Sequence, residues 1–579
     1  MKRALAMALG AVMVAGSAAP ATAASHIDFS GYYRIMYMSE TNTSYGREDK
    51  SFTDSYFQDR LQLDLTFSPT DEISVYWRLR GPGSYQRWGR YEKSDKSLYT
   101  QYIYGEIKQD WGTFLVGRIS DDLDAYGLAS LGYSGTSIAG FTNAMPFDRA
   151  DILDGVRYSY AWDNGFGIMA QYGKMDNNGV KAGNNGNYAS DQDWDRYQVE
   201  GTYAWDGGGV SLNVFYDRNA TSGIDGTNAL GWSAGNDWYN GALNKIEQWG
   251  LNPSIMHAWD NGFSIHFEGM AMWGSAEYAY TNANGRNRTK DMDGEGYGAY
   301  LDFDYNYGPG NATLAGWWVS GSDLNEMNEK DPKSKSIADL AAGNFYPLLV
   351  AYNGDNLNGG GNRYYGNAGR HLSGIGFANN AYENYVSDGH AGRLVGETTA
   401  TTTATYAALN NTDIDLNAGG TFEAQFLNGG RTQKVSFNND TDANHWAVAL
   451  TGNHAFTDDI SVHYGLAYLA LNKANYRVAK AGSYDGTNWT TNGYTTQDKD
   501  LGFEIDLGVT IQLLDNLKFS SAFGYMFNGD AYKQLKGYNV VKGAGNTSVT
   551  AIEANDSVKA KWQDADDSYV WFNSLTFAF

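Results

Sequence analysis

The chain has 579 residues, no cysteine, 70 glycines, 43 tyrosines and a formal net charge of −24 at pH 7. Its mean hydropathy of −0.49 excludes a bundle of membrane helices, because each such helix needs about 20 consecutive apolar residues. The lack of cysteine is compatible with export through an oxidising compartment, where free thiols would form disulfides.

The N-terminus has the pattern of a secretory signal peptide. Lys2 and Arg3 precede an apolar run, and the small-residue stretch "ATAAS" follows that run. This order of a basic, an apolar and a small-residue region is typical of a cleaved export signal. We therefore predict a signal peptide over residues 1–23, ahead of a mature chain over residues 24–579.

Segments of the mature chain alternate between apolar and polar residues. Within residues 61–67, three leucines and a phenylalanine share one face, while Gln62, Asp64 and Thr66 take the other. The same alternation recurs at residues 73–80, 210–216, 297–307, 460–468, 503–511 and 569–579. Strands of about ten residues with one apolar face are typical of a transmembrane β-barrel.

One short phrase occurs three times between such segments. "AWDNGF" stands at residues 161–166 and again at 258–263, and a variant, "AWDGGG", stands at 204–209. Asn-Gly and Asp-Gly favour tight hairpin turns, because both central residues of a type I′ turn need positive φ. We predict that each copy is the tip of a β-hairpin.

The connections fall into two length classes. Eight are short, and the alternate ones are long, polar and rich in glycine, with the longest over residues 321–443. A soluble β-sandwich does not explain this division, whereas outer-membrane barrels have short periplasmic turns and long extracellular loops. We predict an all-β, antiparallel barrel of about 18 strands, with 16 also possible. Trp162, Trp205 and Trp259 would then belong to an aromatic girdle at the periplasmic rim.

Three stretches of the sequence carry a further signal, namely "WGTFLVGRI" at residues 111–119, "ILDGVRYSY" at residues 152–160 and the C-terminal "SLTFAF". In these stretches the sequence resembles the Gram-negative trimeric porins, the general diffusion porins. The resemblance implies an outer-membrane homotrimer that contacts membrane lipid and lipopolysaccharide. It also implies a water-filled channel for ions and small hydrophilic solutes, and an assembly signal at the end of the chain. The residues of this signal would be Phe579, Phe577 and Tyr569.

The same resemblance implies that a loop near residues 120–150 folds into the barrel and narrows the pore. Asp121, Asp122 and Asp124 are then candidate acids of the constriction, and Asp148 is a weaker candidate. The alternative interpretation is an ordinary surface loop with solvated charges.

Six arginines of the first six strands are predicted to face the lumen at a similar height. They are Arg34, Arg60, Arg78, Arg80, Arg118 and Arg157. The later strands instead place acids on the inner face, namely Glu268, Asp302, Asp304, Glu504 and Asp506. Opposed walls of this kind produce a field across a wet pore, which sorts small solutes by size and charge. The alternative is a set of internal salt bridges that brace the barrel.

Two other functions stay open at this point. Inward tyrosines, namely Tyr32, Tyr76, Tyr102 and Tyr104, are compatible with a channel selective for a saccharide or an organic acid. A surface adhesin would instead use the long segment over residues 321–443. The histidine spacings match no metal-ligand motif and no nucleophile elbow occurs, so we expect no enzyme, cofactor or metal, and no nucleic-acid partner.

Overall fold

The fold is described from a computed structural model. The residues whose structure is described are 26–41, 53–81, 98–121, 151–176, 181–182, 187–188, 194–219, 243–281, 287–320, 333–334, 445–472, 477–479, 482–484, 489–491, 494–496, 498–530, 534–536, 538–542, 549–554, 561–563 and 567–579. In these segments there is no helix long and apolar enough to cross a membrane. The predicted signal peptide, the loop over residues 122–150 and nearly all of the segment 321–443 lie outside them.

Eighteen strands form one closed sheet. They are β1 (His26–Thr41), β2 (Thr53–Thr70), β3 (Ile73–Gly81), β4 (Tyr99–Gln109), β5 (Gly112–Asp121), β6 (Asp151–Ala161), β7 (Phe166–Asp176), β8 (Trp194–Trp205), β9 (Gly208–Asn219), β10 (Leu243–Ala258), β11 (Phe263–Thr281), β12 (Asn287–Asn306), β13 (Gly310–Val319), β14 (His445–Ala455), β15 (Ile460–Leu471), β16 (Asp500–Leu514), β17 (Leu517–Asn528) and β18 (Ser568–Ala578). A two-residue strand, Lys333–Ser334, adds to β12. In the described segments, ten further short strands, among them Val549–Ala554, pair outside the barrel.

Each barrel strand pairs antiparallel with the next barrel strand in the chain, and β18 pairs with β1. This last pairing closes the sheet, with Tyr33 opposite Phe577, and so leaves no exposed edge. The eight short turns join separate strand pairs at one rim, where both ends of the barrel sequence also lie. The predicted antiparallel barrel of 18 strands is confirmed, and the alternative of 16 strands is wrong.

Alternation along each strand separates an apolar outer face from a polar inner face. In β9, Val210 and Leu212 are exposed on the outer face, whereas Ser211, Asn213 and Asp217 are buried on the inner side. This is the reverse of a soluble protein, and it suits a barrel whose outer surface contacts lipid.

Two rows of exposed aromatic residues border the apolar belt. The lower row, beside the short turns, contains Trp111, Trp162, Phe166, Tyr203, Trp259, Phe263, Tyr305, Tyr307 and Phe456. The upper row contains Tyr197, Trp249, Trp273, Tyr297, Trp318, Tyr468, Phe503, Phe527 and Trp571. Trp249 and Trp259 are about ten residues apart, which corresponds to about 25 Å across the membrane for a strand tilted by about 40°. The rows therefore mark the two edges of the hydrocarbon layer.

The repeated phrase forms hairpin turns at the lower rim. In the first copy, the Trp162 amide donates to the Phe166 carbonyl over 2.8 Å, and Asn164 Oδ1 accepts from the Phe166 amide over 3.2 Å. Gly165 has a φ of +89°, and Gly262 in the second copy has a φ of +88°. The predicted hairpins and girdle are confirmed. Trp205 lies at the same rim, where its Nε1 donates to His257 Nδ1 over 3.2 Å.

The C-terminal residue is part of the barrel closure. The amide of Gly31 donates to the carbonyl of Phe579 over 2.9 Å, and the amide of Phe579 donates back over 3.1 Å. The Phe579 ring stacks on Phe29, with 5.7 Å between the ring centroids, and lies beside Phe577 on the outer face. Tyr569 stands at the upper end of the same strand, against Phe523.

Candidate functional site

A wall of arginines lines the inner face of the first strands. Arg34 of β1 lies directly opposite Arg60 of β2, and the side chain of Arg60 lies outside the described part of the structure. Arg78 and Arg80 follow on β3, and Arg157 lies on β6. The four arginines whose side chains are described share the inward register of their strands, because the residues on either side of each have outward positions.

One carboxylate organises the centre of this wall. Asp64 on β2 accepts hydrogen bonds from Arg78 Nε over 2.6 Å, from the Tyr76 hydroxyl over 2.5 Å and from Gln62 Nε2 over 2.8 Å. The Arg78 and Asp64 side chains remain 27% and 17% exposed, respectively, in contact with the lumen. Asp64 therefore holds Arg78 in a fixed orientation and offsets most of its charge.

A second cationic group lies beside Arg78. Arg80 Nε donates to the neutral Oε1 of Gln62 over 2.8 Å. Arg34 lies near enough to Arg80 and to Lys518 for electrostatic repulsion between them. The closure of the barrel explains the position of Lys518, because Thr576 on β18 lies between Arg34 and Lys518 in the same ladder. Sequence reasoning missed Lys518, although the alternation of β17 places it inward.

Tyrosines stand beside the arginines. Tyr76 and Tyr104 lie with ring centroids 5.1 Å apart. The Arg78 guanidinium lies 5.6 Å from the Tyr76 ring centroid and 5.5 Å from that of Tyr102, and Arg34 lies 5.4 Å from that of Tyr32. Three of the four tyrosines noted in the sequence therefore lie at distances suited to cation–π contacts with the arginine wall, and Tyr104 packs on Tyr76.

A polar network continues from this wall around the barrel. Arg157 Nε donates to Gln171 Oε1 over 2.7 Å, and Gln171 Nε2 donates to Gln198 Oε1 over 2.5 Å. On the neighbouring strands Arg196 makes a bidentate pair with Asp217, over 2.7 and 2.8 Å. Arg196 is entirely buried, so this pair braces the barrel and does not line an open passage. Sequence reasoning missed Arg196, although the alternation of β8 places it inward.

The inner face of the later strands carries the acids noted in the sequence, and these are buried. Glu268, Asp302, Glu504 and Asp506 are each 2% exposed. Asp302 lies 3.3 Å from His266, and Glu268 accepts from Asn252 over 3.1 Å.

Asp304 is less buried and accepts hydrogen bonds from Asn311 over 2.9 Å and from Thr313 over 2.5 Å. Among the described residues, the side chains of Arg78, Arg80 and Arg157 are therefore partly exposed to the lumen, whereas four of the five acids noted in the sequence are buried.

Arg118 does not belong to the inner wall, and its predicted inward orientation is wrong. It pairs with Ile103, which is exposed on the outer face, and strict alternation through Val116 also places it outside. Its guanidinium makes a bidentate pair with Asp154, over 2.7 and 2.9 Å. An arginine facing lipid at the middle of a membrane costs about 2–4 kcal/mol, so this outer position needs compensation.

The proposed acids of the constriction are largely outside the described residues. Asp121 ends β5 opposite Asp151, and neither side chain is described. Asp122, Asp124 and Asp148 lie beyond that strand end. Among the described residues, no group of three or more His, Asp or Glu side chains is arranged to hold a metal ion.

Solved structures with similarity to the chain are bacterial outer-membrane proteins. OccK8 (OprE) of Pseudomonas aeruginosa is 10% identical, with a TM-score of 0.40, over 96% of this chain and 98% of the other. The anion-selective porin from Comamonas acidovorans is 9% identical, with a TM-score of 0.37, over 96% and 100%. OmpT of Vibrio cholerae, in its trimer form, is 10% identical, with a TM-score of 0.34, over 96% and 100%. No protein-family model matches the chain, and no curated protein matches it.

The class of protein is assigned from the strand pairings, because the sequence identities and TM-scores of these structures are low. An even number of antiparallel strands, a closed sheet and an apolar belt between two aromatic rows define one architecture. The protein is an 18-stranded β-barrel with the architecture of outer-membrane barrels. The location in the Gram-negative outer membrane that the sequence predicted follows from this architecture, since the belt matches the thickness of a bilayer core.

Proposed function

We propose that the chain forms a water-filled channel for passive diffusion of ions and small hydrophilic solutes across the outer membrane. The observation that supports this proposal is the accessible polar wall of β1 to β6, which carries Arg78, Arg80 and Arg157 inside a barrel with an apolar outer surface. Hydrated arginines stay charged at any physiological pH, and they set a local potential that salt screens over about 8 Å.

The proposal keeps the loop near residues 120–150 as the other side of the constriction, with Asp121, Asp122 and Asp124 facing the arginines. A basic wall against acids would order water and sort solutes by charge and dipole. The sequence resemblance also supports a homotrimer that contacts lipid and lipopolysaccharide in the membrane.

Planar-bilayer recording of the purified protein tests the channel. We expect stepwise insertions with ohmic conductance and a nonzero reversal potential in a salt gradient. Insertion of folded protein without conductance steps would contradict the proposal and favour a structural barrel or an adhesin.

A channel selective for small organic acids is the second candidate. The observation that favours it is the group of Arg34, Arg80 and Lys518 beside Tyr32, which joins positive charge to an aromatic surface. A carboxylate would be attracted by this group, and its apolar part would contact the ring. We expect a small carboxylate to reduce the chloride current at concentrations where a neutral sugar of similar size does not. Equal effects of the two solutes would leave general diffusion as the function.

A further inference from the structure

An apolar surface lies on the inner face of β11 to β15. One ladder joins four of its members across β12 to β15, and two methionines of β11 extend it toward the upper rim. We name this set the apolar inner wall, and its members are Met270, Met272, Tyr300, Trp317, Ala447 and Leu469. The interior of a water-filled barrel is normally polar, so the position of this wall needs an explanation.

The apolar inner wall is covered on its lumen side. Its six side chains are at most 4% exposed. A barrel wall is a single layer of strands, so neighbouring strands cover a side chain only from its flanks. The flanks are also thin here, because Met270 and Met272 stand opposite Gly298 and Gly296. Burial of large side chains on this face therefore requires a cover inside the lumen.

The burial decreases toward the lower rim of the same strands. On β12, Asp302 is buried, whereas Asp304, the next inward residue below it, is half-buried. The same step occurs on β15, where His463 is buried and Ser461 below it is half-buried. The cover therefore reaches the apolar inner wall from the upper rim, where the long connections lie.

The chain beyond β13 has a described anchor above this wall. The two-residue strand Lys333–Ser334 pairs parallel with β12 at Asp293 and Gly294. Because β12 runs from the upper rim to the lower rim, the chain at this strand also runs downward. Below it, β13 takes the place beside β12, and β13 ends at Val319. A chain that continues downward must therefore leave the sheet, toward the lumen or toward lipid.

The lumen is the more favourable of these two directions. Tyr297 and Trp318 of the upper aromatic row stand on the outer side, at the edge of the hydrocarbon layer. Irregular backbone is not tolerated against lipid, whereas it is tolerated at membrane depth against protein or water. The inward direction leads to the apolar inner wall, since Tyr300 lies six residues below Gly294 on β12, about 20 Å.

The sequence after this anchor has an apolar run. Residues 345–352 read "FYPLLVAY", and residue 345 follows Ser334 by eleven positions. Eleven residues span at most about 36–40 Å when extended, which is enough to reach the wall from the anchor. The whole segment of residues 321–443 leaves the barrel after β13 and returns at β14, so both of its ends border the apolar inner wall.

We propose that residues 335–352 pack inside the barrel, with the apolar run 345–352 against the apolar inner wall. This packing removes apolar surface of both partners from water. It also leaves the passage on the side of β2 and β3, where Arg78 and Arg80 are partly exposed. The position of the passage rests on the proposed channel function, whereas the packing itself does not.

Cross-linking of the full-length protein in outer membranes tests the packing, because the chain contains no cysteine. Leu469→Cys is combined in turn with Phe345→Cys, Leu348→Cys, Leu349→Cys and Tyr352→Cys, and a short bismaleimide is added. We expect an intramolecular link in at least one of these pairs. Mass spectrometry of the linked peptides identifies it, and heat-modifiable migration shows that the barrel is folded.

The matched control replaces Leu469→Cys with Leu466→Cys. Leu466 lies on the same strand, but its side chain is exposed on the outer face. We expect no link between this position and any of the four partners. Equal yields from the two leucine positions, or no link to Leu469→Cys, would overturn the proposal.

Thiol labelling tests the same packing without a cross-link. The single variant Leu469→Cys should react slowly with a membrane-impermeant maleimide, because residues 345–352 cover it. Replacing Leu348, Leu349 and Val350 with aspartate should raise this rate about tenfold or more, since unpaired charges do not stay against an apolar surface.

The control for this variant adds the same charge elsewhere in the segment, as Thr401→Asp, Thr402→Asp and Thr403→Asp. It should leave the labelling rate of Leu469→Cys unchanged. A fast rate in the single variant would mean that the wall is open to diffusing solutes, and equal rates with both sets of aspartates would mean that residues 345–352 do not cover it. Either result overturns the proposal. Neither measurement uses conductance, so failure of the channel in bilayer recording is a separate result.

Discussion

At the scale of single residues, the arginine wall is not uniform. Arg78 is held by the carboxylate of Asp64 at 2.6 Å, whereas Arg80 donates to the neutral side chain of Gln62. The two residues therefore contribute differently to the potential of the pore. Removal of Arg80 takes away a positive charge, and removal of Arg78 also leaves Asp64 without its main counter-charge.

We expect Arg80→Ser to shift the reversal potential toward cation selectivity. A unit charge about 8 Å from a permeating ion contributes roughly 0.5 kcal/mol in water, so the permeability ratio should change about twofold. Arg78→Ser should shift it further in the same direction, because Asp64 is then exposed. Reversal potentials in a salt gradient provide the measurement.

Arg218→Ser is the matched control, since Arg218 has an outward position beside Glu247. The same chemical change there should leave selectivity as in the wild type. If Arg80→Ser behaves like this control, Arg80 does not set the potential along the permeation path.

At the scale of elements, glycine with positive φ determines the shape of the two AWDNGF turns. Gly165 and Gly262 both adopt φ near +90°, and a Cβ at either site would meet a backbone carbonyl of the next strand, that of Ala204 or Asn306. The same carbonyls belong to residues whose amides bond back to these glycines. Each turn therefore also sets the register between one hairpin and its neighbour.

Gly165→Ala and Gly262→Ala should each destabilise the barrel by about 1–2 kcal/mol, because a left-handed backbone conformation is costly for a residue with a Cβ. Urea unfolding of the purified barrel measures this free energy. Gly201→Ala is the control, since a Cβ there has no atom within 4 Å. A similar loss of stability at all three sites would contradict the role assigned to the turns.

At the scale of the whole molecule, closure depends on the last residue of the chain. Phe579 exchanges two backbone hydrogen bonds with Gly31 and stacks on Phe29, so the C-terminus is fixed to the first strand. The resemblance to porins assigns the same residue to the assembly signal. Both roles require an aromatic residue at the end of β18.

Phe579→Asp should strongly reduce the amount of heat-modifiable barrel in the outer membrane, while export to the periplasm continues. The charge would stand at the lower aromatic row and would remove the apolar end of the last strand. Phe456→Asp is the control, because Phe456 is an exposed aromatic of the same rim that lies in a turn. Normal assembly of Phe579→Asp would exclude the predicted signal.

The sequence by itself determined the class of fold, because its signals are local. Alternation with a period of two, glycine-containing turns and aromatic residues at strand ends all act within a few neighbours, and they predicted 18 strands and the girdle. The sequence also indicated the outward position of Arg118, because alternation through Phe114 and Val116 leads to it. The predicted inward orientation exchanged the two faces of this strand.

Only the tertiary structure decided which distant groups meet. The closure of β18 on β1 places Lys518 near Arg34, although nearly the whole chain separates them. Burial separates the partly exposed side chains of Arg78, Arg80 and Arg157 from four buried acids of the later strands. Burial also makes Arg196 and Asp217 a structural pair. These properties depend on pairings between strands far apart in sequence, which no local pattern specifies.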